Sequence, residues 1–234
     1  MTISTASPIG VEHLDSPDCP ADIARATLRD IAVANTLLGG RAAADWGLAN
    51  LLRDVPPGRP LTLLDVGAGG GDIAAHVTRQ AARRGHRLIP LLLDRHPAAA
   101  AMSRASGAPT FLADACRPPL APGSVDLVLA SQFLHHFSPA AAAGLLRQLD
   151  ALARVGVVVA DLRRTRLAAA GIWLVSFPLR FHPVTRRDGV TSVRRGFTAA
   201  ELSRLLDQAG IRGNVSPRPG FRLVATWRVS RAND

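Results

Sequence analysis

The sequence predicts an α/β protein whose mostly parallel sheet ends in an antiparallel C-terminal hairpin, preceded by a helical cap. Three observations carry this. Short apolar runs alternate with helical spacing from residue 61 onward, three of those runs end in an acid (Asp65, Asp94, Asp161), and one is followed at once by crowded glycines. Alternation of this kind gives parallel strands with helical crossovers. The domain is taken to span 59–234, behind an arm and helical cap over 1–58.

The first strand is Leu61-Thr-Leu-Leu64, apolar or β-branched throughout, as a strand buried on both faces requires. Asp65 closes it, and Gly67, Gly69, Gly70 and Gly71 crowd the turn, where positive φ or a closely approaching ligand excludes a Cβ. Asp72 opens a helix whose free N–H groups face the same crevice. A dinucleotide fingerprint would place glycine three after Gly69, but Asp72 stands there. An anion at that position repels a pyrophosphate and suits a ligand with a cationic centre. The run Asp65-x-Gly67-x-Gly69-x-Gly71 resembles motif I of the class I S-adenosylmethionine (SAM) methyltransferases.

Upstream, residues 1–20 are polar and interrupted by prolines, which predicts a loose arm. Helical spacing then runs from Ala21 to Leu52, broken at Gly39-Gly40, giving two helices. Arg41, beside that glycine pair, is a candidate partner for the carboxylate of a methionine moiety. Downstream of the glycine turn, Leu88-Ile-Pro-Leu-Leu-Leu-Asp94 is a second strand. Its terminal acid lies at about the spacing where a carboxylate meets ribose hydroxyls. His96-Pro97 opens an Ala-rich helix, and Thr110–Ala115 and Gly123–Ser131 read as the third and fourth strands. Ser138-Pro139 caps the next helix. Val155–Asp161 is the fifth strand, and residues 214–229 form the hairpin that completes a seven-stranded, Rossmann-like sheet.

Residues 163–197 stand outside that scaffold and are read as an acceptor-site insert. Leu167–Leu179 is almost wholly apolar, flanked by Arg163, Arg164, Arg166 and Arg180, and too short to span a bilayer. It is expected either to pack on the core or to wall the acceptor pocket, with Trp173 and Phe177 as its large side chains. Phe181–Val190 reads as a surface loop able to close over substrate, with His182 solvated. Thr198-Ala-Ala-Glu201 is a capping box.

The net charge of +10 raises nucleic acid as a partner, but every basic residue is Arg and Tyr is absent. The skew is read as compositional bias with scattered arginines, which argues against a polyanion partner while leaving contact with a membrane surface open. Cys19 and Cys116 form neither a disulfide framework nor metal spacing, and no ligand run suggests a metal. The N-terminus lacks the pattern of a signal peptide, so a cytoplasmic protein is expected.

The resemblance is strongest at Ser131-Gln-Phe-Leu-His-His-Phe137, where small-molecule methyltransferases commonly carry Leu-His-His. The Asn/Asp-Pro-Pro-aromatic motif of exocyclic-amine nucleic-acid methyltransferases is missing. Less specifically, the chain is similar to quinone-biosynthesis methyltransferases and to O-methyltransferases of natural-product and type III polyketide synthase pathways, hence of secondary metabolism. The resemblance implies a transferase (EC 2.1.1.-) using SAM and releasing S-adenosylhomocysteine. It implies cofactor contacts from Asp65, Gly67, Gly69, Asp94, Arg95, Asp114, Ala115 and Ser131, with Arg41 added from its own setting. The acceptor is expected to be small, apolar or aromatic, and methylated on a phenolic or polyketide-like hydroxyl. With no Lys or Tyr to serve, His135 or His136 is the candidate base and Asp161 the orienting acid. Three readings stay beside this one: C-methylation of a quinone-like ring, nucleic-acid methylation, and a non-catalytic SAM-binding protein.

Overall fold

The computed structural model describes residues 6–16 and 18–229. A seven-stranded sheet runs in the order β3-β2-β1-β4-β5-β7-β6. Its strands are β1 (Leu61–Val66), β2 (Leu88–Asp94), β3 (Thr110–Leu112), β4 (Val125–Ser131), β5 (Ala153–Leu162), β6 (Asn214–Arg218) and β7 (Arg222–Arg228). The first five are mutually parallel, and β7 turns back antiparallel to both β5 and β6. The architecture is the one the alternation of strand and helix predicts.

Helices cover both faces. On one lie α1 (Ala21–Leu37), α2 (Gly40–Leu52) and α3 (Asp72–Arg83), and α4 (Pro97–Ala105) follows β2. Leu48, Leu51 and Leu52 of α2 and Ile73, Val77 and Ala81 of α3 bury against Leu61, Leu63, Leu127 and Leu129. On the other, α5 (Pro139–Leu152) and α8 (Ala199–Ala209) bury Leu145, Leu146, Leu149, Leu202 and Leu206 against Val128, Val157 and Val159. In each helix the buried positions recur at three- and four-residue spacing, so one stripe faces the sheet. Helix α2 approaches the sheet so closely that a Cβ on Gly47 would lie 2.6 Å from Val158 Cγ1. No helix among the described residues is long and apolar enough to cross a membrane.

The caps follow the local chemistry. Ser138 accepts from the Ala141 amide with Pro139 at the first helical position, and Thr198 and Glu201 form the reciprocal capping box of α8.

Two expectations fail. The arm is not loose where it is described: it forms a short 3-10 turn, His13–Asp15, that docks across the ends of the strands. The Ala6–Phe137 bridge and the Ser7 amide, donating to the His136 carbonyl at 2.8 Å, hold it there. Residues 1–5 and 17 lie outside the described residues. The stretch read as a loop over 181–190 is instead the start of α7 (Pro183–Arg195), where Pro183 sits at the first helical position and His182 caps it by accepting from Val184 N. Its glycine and β-branched residues lower helix propensity, but packing on the neighbouring helices overrides that. The apolar run, left between core packing and pocket wall, forms α6 (Arg166–Val175) with its face divided. Ala168, Gly171, Ile172 and Val175 line a cavity, while Trp173 and Phe177 point away from it.

Candidate active site

A cavity of about 900 Å³ opens at the carboxyl ends of the parallel strands, beside the point where the order reverses between β1 and β4. That is where open α/β sheets place their ligands, because the connecting chain leaves in opposite directions on either side. At one end the glycine turn forms the floor. Gly67 has φ +70°, and a Cβ there would run into the ring of Phe133, so only glycine fits. The Gly69 amide donates to Asp94 Oδ2 at 2.9 Å and the His96 amide to Asp94 Oδ1 at 2.8 Å. The acid at the end of β2 is thereby locked to the glycine turn. Burial raises its pKa, and the two amides offset part of the rise.

Asp65 is fully buried at the end of β1. Burial first, then the charges of Asp72 and Asp94, push its pKa well above the usual carboxylate range. Its Oδ2 has no hydrogen-bond partner among the described residues. The Ala74 amide serves the carboxylate, but a buried acid with one oxygen unpartnered beside two further acids is costly unless a ligand brings positive charge or donors.

Gly67, Gly69, Asp65, Asp94, Arg95, Asp114, Ala115 and Ser131 all line this cavity. Ser131 Oγ is likewise buried without a partner among the described residues. Arg41 departs from its expected place. It does not line the cavity, and its Nε donates to Asp72 Oδ2 at 3.2 Å. Asp72 is the nearer anion, so the guanidinium satisfies the helix-opening acid.

The other end is built around the 3-10 turn Leu134–His136, which follows β4. His135 is 2% exposed, and its Nδ1 lies 2.6 Å from Asp161 Oδ1, while its backbone amide donates to Asp161 Oδ2 at 3.1 Å. Burial works to raise the Asp161 pKa, but His135 and the backbone amides outweigh it and hold the acid below its usual range. His135 is among the residues lining the cavity; with Nδ1 committed, its remaining nitrogen Nε2 is buried and has no hydrogen-bond partner among the described residues. The His136 ring stands 4.3 Å from that of His135, and its Nδ1 lies 2.7 Å from Asp15 Oδ1.

The docked arm supplies residues that spacing does not reveal. Arg195, buried on α7, reaches Glu12 Oε1 at 3.1 Å, Asp15 Oδ2 at 2.9 Å, and the carbonyls of Ile9 and Gly10, each at 2.8 Å. The Glu12 carboxylate comes within 3.8 Å of His135 Nε2. Gln132, at φ +51°, is held in the left-handed region by Arg222, whose Nη1 donates to its Oε1 at 2.8 Å, and by Asn35. Burial lowers the Arg222 pKa to about 10, with Asp161 opposing the shift. Only the acid-rich arm and the paired Arg194-Arg195 hint at this in the sequence, and their separation along the chain hides the contact.

The fold also creates a grouping that no sequence spacing suggests. Ligand-type atoms of Glu12, His135 and His136 lie within 4.8 Å of one another. Arg195 already provides positive charge there, its Nη1 standing 3.3 Å from His136 Nδ1 as well as against Glu12.

Residues 64–160 match a family model described as a methyltransferase domain. A search of curated proteins finds no match. Among solved structures, a proposed O-methyltransferase from Nostoc punctiforme PCC 73102 aligns over 95% of this chain and 64% of its own, at 21% identity and TM-score 0.62. The magnesium protoporphyrin IX methyltransferase of Synechocystis PCC 6803, with bound SAM, aligns over 85% of this chain and 84% of its own, at 14% identity and TM-score 0.55. The C-methyltransferase domain of the citrinin polyketide synthase aligns over 78% of this chain and 50% of its own, at 15% identity and TM-score 0.58. At such identities the likeness is one of fold, and the neighbours' descriptions include both O- and C-methyltransferases. The matched domain over 64–160, the glycine turn and the shared fold support the class I SAM-dependent methyltransferase superfamily, with SAM as cofactor and S-adenosylhomocysteine as product.

Proposed function

We propose that the protein methylates a hydroxyl of a small, apolar phenolic or polyketide-like acceptor, with His135 as general base. The observation that carries this is the buried Asp161–His135 pair, in a histidine that lines the cavity and whose Nε2 makes no hydrogen bond among the described residues. The residues present fit a cofactor with a cationic centre, since Asp65 keeps an unpartnered buried oxygen among three acids at the glycine turn. Asp94 would take the ribose hydroxyls on its remaining lone pairs, and Asp114 and Ala115 the adenine. Bound there, SAM supplies an electrophilic methyl on a sulfonium cation.

The chain's own residues then manage the proton. A phenol with a pKa of about 10 is almost wholly protonated at neutral pH, so it attacks poorly without a base. Nε2 of His135 accepts that proton. Asp161, kept ionised by its contacts with His135, steadies the imidazolium and fixes the ring through Nδ1. Ile172 and Val175 present apolar surface to the acceptor, and Phe133 and Phe137 line the same space.

Incubation with SAM carrying a labelled methyl and a panel of phenols, followed by product NMR, tests the reading. A methoxy product supports it. A ring-methylated product would move the chain to the C-methylating class, where the same base would serve to ionise the ring hydroxyl. Methylated RNA or DNA, or binding without turnover, would reject it.

A further inference from the structure

The +10 charge is not spread evenly. Residues 163–197 hold eight arginines against the single acid Asp188, a surplus of seven out of the chain's ten. Asp188 is itself buried and committed to His13, its Oδ1 standing 3.0 Å from His13 Nδ1. Arg163, Arg166, Arg180 and Arg187 are exposed and take part in no ion pair among the described residues. Between them runs α6, whose outer side is apolar. Leu167 is 68% and Leu174 67% exposed, one above the other at a seven-residue interval, and Trp173 and Phe177 are exposed at 43% and 48%. Trp173 and Phe177 meet edge to face at 5.4 Å, and Arg186 lies over the Phe177 ring, 3.9 Å from its centroid.

Four large apolar side chains left in water on one short helix and the turn after it call for a cover. The surrounding charge decides which cover. A second copy of the chain would bring an equal positive surplus against this one, and like charges repel. An anionic lipid surface answers both features. Its headgroups neutralise the arginines, and its acyl boundary takes Leu167, Leu174 and the two aromatic rings, the arrangement of an amphipathic helix lying in the interface plane. Aromatic rings and arginines with apolar stems suit that boundary in particular. We propose that α6 and its arginine rim dock the protein on an anionic bilayer. The opposite side of the same helix lines the cavity through Ala168, Gly171, Ile172 and Val175, so docking sets the cavity wall against the lipid. The docking itself does not depend on which acceptor is methylated.

Co-flotation with vesicles tests this, comparing phosphatidylcholine alone with phosphatidylcholine mixed with phosphatidylglycerol. The full chain should float with the mixed vesicles only, less so at high salt, with a blue shift in Trp fluorescence that Trp173→Leu removes. The double variant Leu167→Glu, Leu174→Glu should lose at least about tenfold in binding. Arg166→Ser with Arg180→Ser should lose about fivefold per arginine. None of these side chains lines the cavity, so SAM binding by calorimetry should be unchanged, which also certifies the fold of each variant. No binding to mixed vesicles would overturn the proposal, as would binding indifferent to the two glutamates. So would a wild-type dimer that the glutamates dissociate, or tight RNA binding that needs the arginines but not the leucines.

Discussion

At one end of the cavity, Asp65, Gly67, Gly69 and Asp94 come from a single strand–turn–helix–strand run, and much of what they offer is backbone. At the other end, Glu12, His135, Asp161 and Arg195 come from the arm, the turn after β4, the end of β5 and α7. The first end is fixed by glycine conformation and a ladder of parallel strands. The second depends on buried charges meeting across the fold, which is costly to assemble and easy to disturb. Binding of cofactor and transfer of the methyl should therefore separate cleanly under mutation.

The largest separation is expected from His135→Ala. Losing a general base costs about 10²–10⁴-fold in kcat, while calorimetry should show SAM affinity unchanged because His135 supports none of the glycine-turn contacts. The residual rate should climb with pH as the acceptor ionises unaided. Near wild-type kcat in His135→Ala, His136→Ala and the double variant would mean that positioning alone drives transfer.

The mirror image comes from Asp94→Ala. Removing hydrogen bonds to a charged group is worth about 1.5–3 kcal/mol, so SAM affinity should fall about ten- to 150-fold. At saturating SAM the kcat should return to near wild type. A kcat that stays depressed at saturation would show that the two ends are coupled.

The contrast also explains what the sequence discloses. Strand alternation, the glycine turn, the Ser138-Pro139 cap and the Thr198–Glu201 box are local signals, and their elements appear in place. The apolar stretch of 167–179 reads as a helix, but composition alone does not say which side faces the cavity, and it is Trp173 and Phe177 that lie outside the cavity lining. Arg41 beside a glycine pair looks available until Asp72 is brought to it. The arm reads as loose because nothing local holds it. What holds it is Arg195, far along the chain, and a contact of that range leaves no periodicity. The arginines of 163–197 read as scattered because the surplus emerges only when the segment is weighed against the rest of the chain.

A smaller effect should mark the cofactor end through stability. The folded-state pKa of Asp65 is raised, so between its ordinary value and the raised one the folded protein keeps a proton that the unfolded chain releases. Stability contributed by that proton is complete below the ordinary value and is lost as pH rises across this window. Asp65→Asn should remove that slope and raise the Tm of cofactor-free protein by a few degrees, while weakening SAM binding. An unchanged slope in calorimetric melts of the variant would mean that another group titrates.

The smallest effect concerns the arm, and it tests the acceptor end without touching His135. Asp15 is held far below its usual range, its own burial being outweighed by His136 and Arg195, so its contribution to docking is present above its ordinary value and lost as pH falls. Glu12 is shifted the other way: burial raises it despite His136 and Arg195, so docking weakens as pH rises from its ordinary value through the raised one. The arm should therefore be held best under mildly acidic conditions. Proteolytic clipping near residues 6–16, followed by mass spectrometry, reads this directly. Wild-type clipping should quicken modestly toward neutral pH, and Glu12→Gln, which keeps a neutral group in place, should flatten that rise. Arg195→Met should speed clipping at every pH, because two carboxylates then lose their cation and the arm can release them to water at less cost than unfolding the sheet. SAM affinity should stay the same in both variants, while acceptor KM rises in Arg195→Met. Identical pH profiles for wild type and Glu12→Gln would show that Glu12 does not govern the arm, and equal clipping of Arg195→Met would show that the arm is held by its backbone bridge to Phe137 instead.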